Sequence, residues 1–375
     1  MVRAKHTKQN KMSRRTLAFI ATALVVVLAV LVFLYRDKLS PSSISGVSGD
    51  ASDTFSQSEP FTYETGSQQM FALMGDNLAI ASSTGLQLLD SGGNTVSREV
   101  YSMTNPAVCG NSTSCAFFDV GGNSLRIYKD GEIKNFDRDS AIISVTASSG
   151  GYFAVSGEEA GYKGSVTVYD SALSSVYKWY SGSGYVLDAA VSPDGTKLAV
   201  LCVETTGSVV HIFRLDSEEE YASAAMPNEL AFKLCYQKNG NICVLSEDAI
   251  HFLGSDGHEL SVYGFEDNYL ANYELREEYC AVVLSKYVSG SDVSLISFAY
   301  NGDVLGTAPL SGEPLSMFSQ GQKLLVLGAT DISLYSRNLD IKKQSHDVLG
   351  FTSAVLMPKG SFLLLSSHYG EKCEF

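Results

Sequence analysis

The sequence lacks the short motifs that mark common catalytic and metal sites. It has no G-x-S-x-G nucleophile elbow, no H-E-x-x-H zinc helix, no C-x-x-C pair and no D-x-[DN]-x-[DN]-G calcium loop. Its one notable glycine-rich run, "SGSGY" at 181–185, leads into a strand, whereas a phosphate cradle needs the N-terminus of a helix. We therefore assign no catalytic, cofactor-binding or metal-binding residue, and we expect no cofactor.

Positive charge is scarce outside the first residues. Residues 1–38 carry eight Lys and Arg and one acid, a net charge of +7, whereas the whole chain of 375 residues carries −14. Residues 39–375 therefore carry −21. A body this acidic repels phosphate backbones, so we expect no nucleic-acid partner.

The only long apolar run lies near the N-terminus. Residues 17–35, "LAFIATALVVVLAVLVFLY", contain no charge and as a helix would span roughly 28 Å, enough for a bilayer core. A cleaved signal peptide is the alternative, but its apolar region usually has only about 7–15 residues. We expect an uncleaved signal anchor with a cytoplasmic basic tail at 1–16, a flexible Ser-rich linker at 36–60, and everything beyond the span outside the cell membrane.

The body of the chain repeats one unit. "VSPDGTKLAV" at 191–200 places a Pro-Asp-Gly turn between two apolar runs, which predicts a β-hairpin. Seven fainter copies follow the same pattern at a mean period of about 41 residues, which is typical of a four-stranded propeller blade. The second strand of each copy is predicted to be buried on both faces and to have one equivalent position, small in most copies: Ala79, Ala116, Ala154, Ala199, Cys243, Ala281, Leu325 and Leu363.

The chain ends predict how the repeat closes. The eighth copy has room for a third strand but no fourth, and Phe61-Thr-Tyr-Glu64 is a strand without a hairpin partner. Joining the two completes a blade and removes the exposed sheet edges. Residues 61–375 are therefore predicted to form an all-β, eight-bladed β-propeller. Seven blades are the alternative, and a β-sandwich is disfavoured because it needs no such period.

The hairpin at 189–200 resembles the WD40-like repeats of bacterial propellers, although the Gly-His and Trp-Asp signatures are absent. Eight-bladed quinoprotein dehydrogenases have a recurring tryptophan motif, and this chain has only Trp179. The layout of basic tail, span, Ser-rich tether and propeller is similar to a family of single-span Gram-positive bacterial membrane proteins with a domain of unknown function. That resemblance implies a fold and a location but no activity.

Seven cysteines, an odd number, all follow the apolar run. Cys109 and Cys115 flank the short loop "GNSTS", so a hairpin disulfide between them is one interpretation. The alternative is that the cysteines are small buried side chains in strands. Cys243 fits the alternative because it stands where most copies of the repeat have alanine.

The segment 266–274, "EDNYLANYE", is predicted to connect blades five and six, and such connections help to line one face of a propeller. Tyr269, Asn272 and Tyr273 are the candidate ligand-binding residues there, since tyrosine offers an apolar ring with a polar end. The favoured function is a non-enzymatic binding or scaffold module for a protein or a cell-envelope polymer. The alternative is a lyase or hydrolase acting on envelope glycans or peptides.

Overall fold

The computed structural model describes residues 55–57, 60–64 and 66–375, and every regular element in those ranges is a β-strand. The predicted tail 1–16, the predicted span 17–35 and most of the predicted linker 36–60 lie outside the described residues. Within the described part of the chain there is no helix with the length and hydropathy needed to cross a membrane.

The strands follow one another in groups of four. Two short strands come first, and they are β1 (Ser56–Gln57) and β2 (Phe61–Thr62). Blades 1 to 4 contain β3 (Met70–Met74), β4 (Asn77–Ser82), β5 (Gly85–Leu89), β6 (Thr95–Val100); β7 (Pro106–Gly110), β8 (Ser114–Asp119), β9 (Leu125–Lys129), β10 (Glu132–Asn135); β11 (Ile142–Ala147), β12 (Phe153–Gly157), β13 (Gly164–Tyr169), β14 (Ser175–Ser181); β15 (Tyr185–Val191), β16 (Lys197–Glu204), β17 (Gly207–Arg214) and β18 (Glu220–Pro227). Blades 5 to 8 contain β19 (Ala231–Tyr236), β20 (Ile242–Ser246), β21 (Ala249–Leu253), β22 (Glu259–Gly264); β23 (Tyr269–Leu275), β24 (Cys280–Ser285), β25 (Val293–Phe298), β26 (Val304–Leu310); β27 (Ser316–Gln320), β28 (Lys323–Leu327), β29 (Asp331–Ser336), β30 (Ile341–His346); β31 (Ser353–Leu356), β32 (Phe362–Leu365) and β33 (Tyr369–Glu374).

Each of the first seven groups forms one four-stranded antiparallel sheet whose strands pair in chain order, and the eighth sheet combines β31, β32 and β33 with β1 and β2. The prediction of an eight-bladed all-β propeller is confirmed, and the seven-bladed alternative is wrong. The first strand of each blade lies nearest the axis, and the fourth lies at the rim. We call the face where first strands begin the entry face, and the opposite face, which carries the turns after first and third strands, the exit face.

The turn at Pro193 shows why the repeat forms hairpins. Gly195 has φ +69°, and its N–H donates to the carbonyl oxygen of Ser192 at 2.9 Å, which closes the turn. A Cβ there would lie 2.4 Å from the ring of Tyr152, so a side chain would force that ring to move. Glycine is therefore favoured both by the backbone conformation and by the neighbouring blade-3 side chain.

The equivalent positions of the repeat all lie in second strands, as predicted, and none is more than 3% exposed. Each one packs in a cluster with residues of the next blade: Ala199 of blade 4, for example, lies with Leu234 and Val244 of blade 5. Fourth strands such as β14 and β22 alternate between exposed and half-buried residues. The core is thus a ring of interfaces between blades.

Both chain ends complete blade 8. Phe61 pairs with Gly370, and the strand β2 lies beside β33 as the sequence predicts. The pairing extends further than predicted, because Ser56 in the predicted linker pairs with Glu374. The rings of Phe362 and Phe375 lie 4.6 Å apart and pack on Phe55, which fixes this joint.

Of the two interpretations of Cys109 and Cys115, the structure shows free thiols in strands rather than a bridge. In the hairpin of blade 2, Cys109 pairs with Ala116 and Cys115 pairs with Gly110. The two thiols are therefore one residue out of register and point to opposite faces of the sheet. Cys115 packs toward blade 1, whereas Cys109 packs toward blade 3.

Candidate functional site

The first strands of blades 1 to 7 surround a cavity of about 530 Å³ on the propeller axis, which we call the axial cavity. Its walls include Lys233 and Cys235 of β19 and Tyr273 of β23, together with Cys109 of β7. It is the natural candidate for a binding site, because it combines apolar walls with a few polar groups.

A chain of polar contacts crosses blades 3, 4 and 5 at the cavity wall. Ser144 donates to one oxygen of Asp188, and the Lys233 ammonium lies 2.8 Å from the other, which also accepts from the N–H of Leu234 at 3.2 Å. Each of the three side chains directly follows a bulge in its first strand. Ser144, Asp188 and Lys233 therefore occupy equivalent positions in three successive blades, and the bulges turn their side chains toward one another.

Lys233 places a positive charge at the wall of the axial cavity. Burial works against its charged form, but the attraction of the Asp188 carboxylate outweighs burial and raises the pKa of the ammonium above its usual value. The Asp188 side chain is only 2% exposed, whereas that of Lys233 is 31% exposed to the cavity. The Lys233 ammonium therefore faces the cavity, while the Asp188 carboxylate that balances its charge is buried in the wall.

A second set of polar contacts joins blades 6 and 7. One oxygen of the buried Glu274 accepts from Arg276 Nε at 2.7 Å and from both the backbone N–H and the hydroxyl of Ser319, at 2.7 and 2.8 Å. The Arg276 guanidinium lies 4.2 Å from the ring centre of Phe318. These groups hold neighbouring blades together.

The exit end of the axis is crossed by one side chain. Glu277, in the turn after β23, accepts a hydrogen bond from the backbone N–H of Ser149 in blade 3 at 2.8 Å. Its own carbonyl oxygen accepts from the N–H of Lys238 in blade 5 at 2.7 Å. Glu277 therefore links three blades at this end of the axial cavity.

The structure does not bring the three predicted ligand-binding residues to one surface. Tyr269 begins β23 on the entry face and is 52% exposed. Asn272 follows a bulge, and its side-chain oxygen accepts from the N–H of Tyr273 at 2.8 Å. Tyr273 lines the axial cavity and packs against Phe232, with ring centres 5.9 Å apart. The segment predicted as a connection is a strand from Tyr269 onward, so neighbouring side chains alternate in direction.

Sequence reasoning missed Asp188 and Lys233. The available signal was a single charge inside an otherwise apolar strand, "YVLDAAV" and "LAFKLCY", at nearly the same distance before the second strand of successive copies. Among the described residues, no group of three or more His, Cys, Asp or Glu side chains is placed to hold a metal ion.

A second candidate surface is the entry face. The exposed large apolar side chains there are Met70, Val100, Val120, Tyr162, Tyr180, Tyr185, Leu230, Tyr269, Tyr287, Val288, Leu315 and Leu349. The remaining ones lie on fourth strands at the rim. Six of them are the first or second residue of the strand, next to the exit face, and they are Val96, Val176, Tyr221, Leu260, Val304 and Ile341; Val262 lies in mid-strand. In the part of the chain that the structure describes, none lies in an exit-face turn.

Aromatic rings concentrate on the entry face at blades 3 and 4. The rings of Tyr162 and Tyr180 lie 4.7 Å apart. Lys178 lies 4.7 Å from the ring centre of Tyr180, and Lys163 lies 4.6 Å from that of Tyr185. We call these five residues the tyrosine platform. Its rings offer flat apolar contact area, and Lys163 adds positive charge, whereas the Lys178 ammonium is paired with Glu159 at 3.3 Å.

Comparison with known proteins identifies the fold and the family. A family described as "Family of unknown function (DUF5711)" matches residues 53–359, and no curated protein matches the sequence. The C-terminal WD40 domain of Sif2 is similar in structure, with a TM-score of 0.62 at 10% identity over 87% of this chain and 99% of that one. Chaetomium thermophilum Sqt1, in a structure bound to the N-terminus of ribosomal protein L10, gives 0.59 at 13% identity over 83% and 98%. At these identities the likeness shows the fold alone.

Proposed function

The chain belongs to the DUF5711 family of unknown function, and from that premise we propose that it is a membrane-tethered, extracytoplasmic propeller that binds a protein partner through its entry face without catalysing a reaction. The observation that carries the proposal is that twelve exposed large apolar side chains lie at the entry face, whereas six lie at the exit-face ends of fourth strands and none of the described ones lies in an exit-face turn. An exposed apolar surface of this kind on one face is a feature of interaction sites.

The composition of the entry face favours a protein over a glycan. Tyrosine rings alone would suit sugar stacking, but Met70, Val288 and Leu349 are also strongly exposed there, Val288 to 81%. Tyrosine and methionine are enriched in protein interfaces, and exposed aliphatic side chains contribute area that a sugar polymer does not use. The tyrosine platform supplies the rigid aromatic anchors on which such interfaces depend.

The Asp188 carboxylate supports binding rather than catalysis. One of its oxygens accepts from Ser144 of blade 3, and the other contacts Lys233 and accepts from the N–H of Leu234 in blade 5. A general base needs a free lone pair aimed at a substrate, and both oxygens of Asp188 are committed to the wall. The structure of Sqt1 with a ribosomal protein segment is an example of a protein partner on this fold.

The N-terminal sequence supports the tether. The basic tail 1–16 and the uncharged segment 17–35 fit a signal anchor whose positive side stays in the cytoplasm. The part of the Ser-rich linker 36–60 that precedes β1 would give the propeller a reach of roughly 25 Å from the bilayer. The entry face would then be free to meet another protein of the cell envelope.

Site-specific photocrosslinking in intact cells tests the proposal. A benzophenone amino acid replaces Tyr287 or Tyr162 on the entry face of the full-length protein, and the matched control carries it at Glu218, an exposed residue of an exit-face turn. We expect the same protein to be crosslinked from both entry-face positions and not from Glu218. Crosslinking from all three positions alike, or from none, would contradict the proposal.

The same experiment separates a protein from a polymer. A crosslinked product that protease removes supports the proposal. A product that resists protease and disappears with glycan-degrading enzymes would replace the protein partner with an envelope polymer.

Cysteine labelling tests the tether independently. Ser43→Cys, in the linker, is expected to react with a membrane-impermeant maleimide in intact cells, whereas Ser13→Cys, in the basic tail, reacts only after lysis. The unsubstituted protein gives the background from its native thiols. Equal labelling of both variants in intact cells would contradict the proposed orientation.

A further inference from the structure

Three thiols meet between blades 5 and 6. Cys235 of β19 is the direct cross-strand partner of Cys243 of β20. The sulfur atom of Cys243 lies 3.5 Å from that of Cys280, which begins β24 in the next blade. All three cysteines are free. Cys243 occupies the small position of the repeat, and the structure thus adds two neighbouring thiols to a residue that the sequence indicates only as packing.

The three thiols differ in access. Cys243 and Cys280 are enclosed in the interface, with 0% and 2% exposure, and burial raises the pKa of both thiols. Cys235 is partly exposed and lines the axial cavity, two residues from the charged Lys233. A small polar reagent in the cavity therefore reaches Cys235 first, while the other two stay protonated behind it.

We propose that Cys235, Cys243 and Cys280 form a peroxide-oxidation site that ends in a Cys243–Cys280 disulfide joining blades 5 and 6. Hydrogen peroxide is the oxidant. The Cys235 sulfur attacks one peroxide oxygen, the O–O bond breaks, and a sulfenic acid and one water form. The Cys243 thiol then attacks the oxidised sulfur, and the Cys235–Cys243 disulfide forms with release of a second water.

Thiol–disulfide exchange completes the proposed reaction. The Cys280 sulfur attacks Cys243 in the first disulfide, the Cys235–Cys243 bond breaks, and the proton lost by Cys280 passes to the Cys235 thiolate. The net change is two thiols and one peroxide converted to one disulfide and two waters. Cys235 returns to its thiol form in the cavity, and the new bond closes a loop between residues 37 positions apart.

The other cysteines provide internal controls. Cys109 also lines the axial cavity, but Cys115 points away from it across the sheet of blade 2. Cys202 and Cys373 are buried in separate interfaces, those of blades 3 and 4 and of blades 7 and 8. If access to peroxide alone controlled oxidation, Cys109 would be oxidised as well as Cys235. The proposed site also requires neighbouring thiols.

The test is peroxide titration of the reduced, purified full-length protein, followed by alkylation and peptide mass spectrometry. We expect the loss of two free thiols and one linked pair of peptides carrying Cys243 and Cys280. Cys280→Ser should trap the Cys235–Cys243 disulfide, and Cys235→Ser should lose most of the oxidation rate. Cys109→Ser, the matched cavity control, should keep the wild-type rate and product. A reductant should restore all thiols.

Three results would overturn the proposal: Cys235→Ser oxidising at the wild-type rate, a main disulfide that contains Cys109, or Cys280→Ser giving no disulfide while folded. The melting temperature of each reduced variant shows that it is folded. Oxidation should raise the melting temperature of the wild-type protein and not that of Cys243→Ser, because only the former gains a link between blades.

Discussion

The carboxylate of Glu277 in blade 6 accepts a hydrogen bond from the backbone N–H of Ser149 in blade 3, 128 residues earlier in the chain, at 2.8 Å. Blades 3 and 6 are not neighbours, so this contact spans the axis instead of an interface between adjacent blades. Cys109 and Cys235 line the axial cavity behind this contact. The rate at which a reagent labels their thiols therefore shows whether the exit end is open.

Glu277→Ala should open the exit end. We expect faster alkylation of Cys235 by a small maleimide, measured by mass spectrometry, and a loss of stability of about 1 kcal/mol, since the bond is charged but solvent-exposed. The control is Glu278→Ala, which removes the adjacent acid and its contact with Lys238 but no contact across the axis. Equal labelling rates in the two variants would show that Glu277 does not restrict access.

Asp188→Ala should destabilise the propeller strongly. The substitution leaves the Lys233 ammonium without its counter-charge and the N–H of Leu234 without its acceptor. Breaking a buried charge pair costs about 3 kcal/mol, measured by urea unfolding. The control Asp292→Asn removes the charge of a carboxylate that is 69% exposed, and asparagine suits the φ of +57° there, so stability should change by less than about 0.5 kcal/mol.

A double-mutant cycle identifies the cause of that loss. If the charge pair is responsible, Lys233→Ala in the Asp188→Ala background should cost much less than it does alone. Additive losses would instead indicate that the two residues stabilise the wall independently.

Glu229 should give the propeller part of its acid sensitivity. Burial acts to raise the pKa of Glu229, but hydrogen bonds with His251 at 2.7 Å and Ser246 at 2.8 Å outweigh it and hold the pKa below the usual 4.5. Between the two values the unfolded chain binds a proton that the folded chain does not, so stability rises with pH there. The contribution is complete above pH 4.5 and is lost as the pH falls below it.

Unfolding free energies of Glu229→Gln between about pH 3.5 and about pH 7 check this sign. The variant should be less stable than the wild type at neutral pH, and the difference should shrink in acid. Glu218→Gln, on an exposed turn, should keep the wild-type profile. A difference that grows as the pH falls would contradict the assignment to Glu229.

The blade count could be predicted from the sequence because it depends on local chemistry. Turns such as that at Gly195 and the buried small positions such as Ala199 recur with the blade and need no knowledge of long-range contacts. The final blade could be predicted as well, since an unpaired strand at each end leaves one arrangement that closes the sheet.

The site could not be predicted in the same way, because it depends on register. A bulge before Asp188 and another before Lys233 shift the alternation of their strands by one residue, and no turn residue marks either bulge. The same sensitivity applies to Cys109 and Cys115, which are free thiols one residue out of register. Cys235 and Cys243, in contrast, lie directly opposite each other. The two pairs of cysteines differ by only one residue of register.

Ala199→Leu should show whether the small position sets the distance between blades. Ala199 is 0% exposed and packs against Leu234 and Val244 of the next blade, so three added carbon atoms have no free volume. We expect a loss of about 2 kcal/mol in urea unfolding, the usual cost of overpacking a filled core. Val176→Leu, on the half-exposed fourth strand of blade 3, should change stability by less than about 0.5 kcal/mol.

The reciprocal substitution at the equivalent position of blade 7 sharpens the test. Leu325 is also 0% exposed, and its side chain fills the cluster that joins blades 7, 8 and 1. Leu325→Ala should therefore cost about 3 kcal/mol by leaving a cavity. If Ala199→Leu were neutral while Leu325→Ala were costly, blade spacing would follow from total core volume and not from a small residue at each interface.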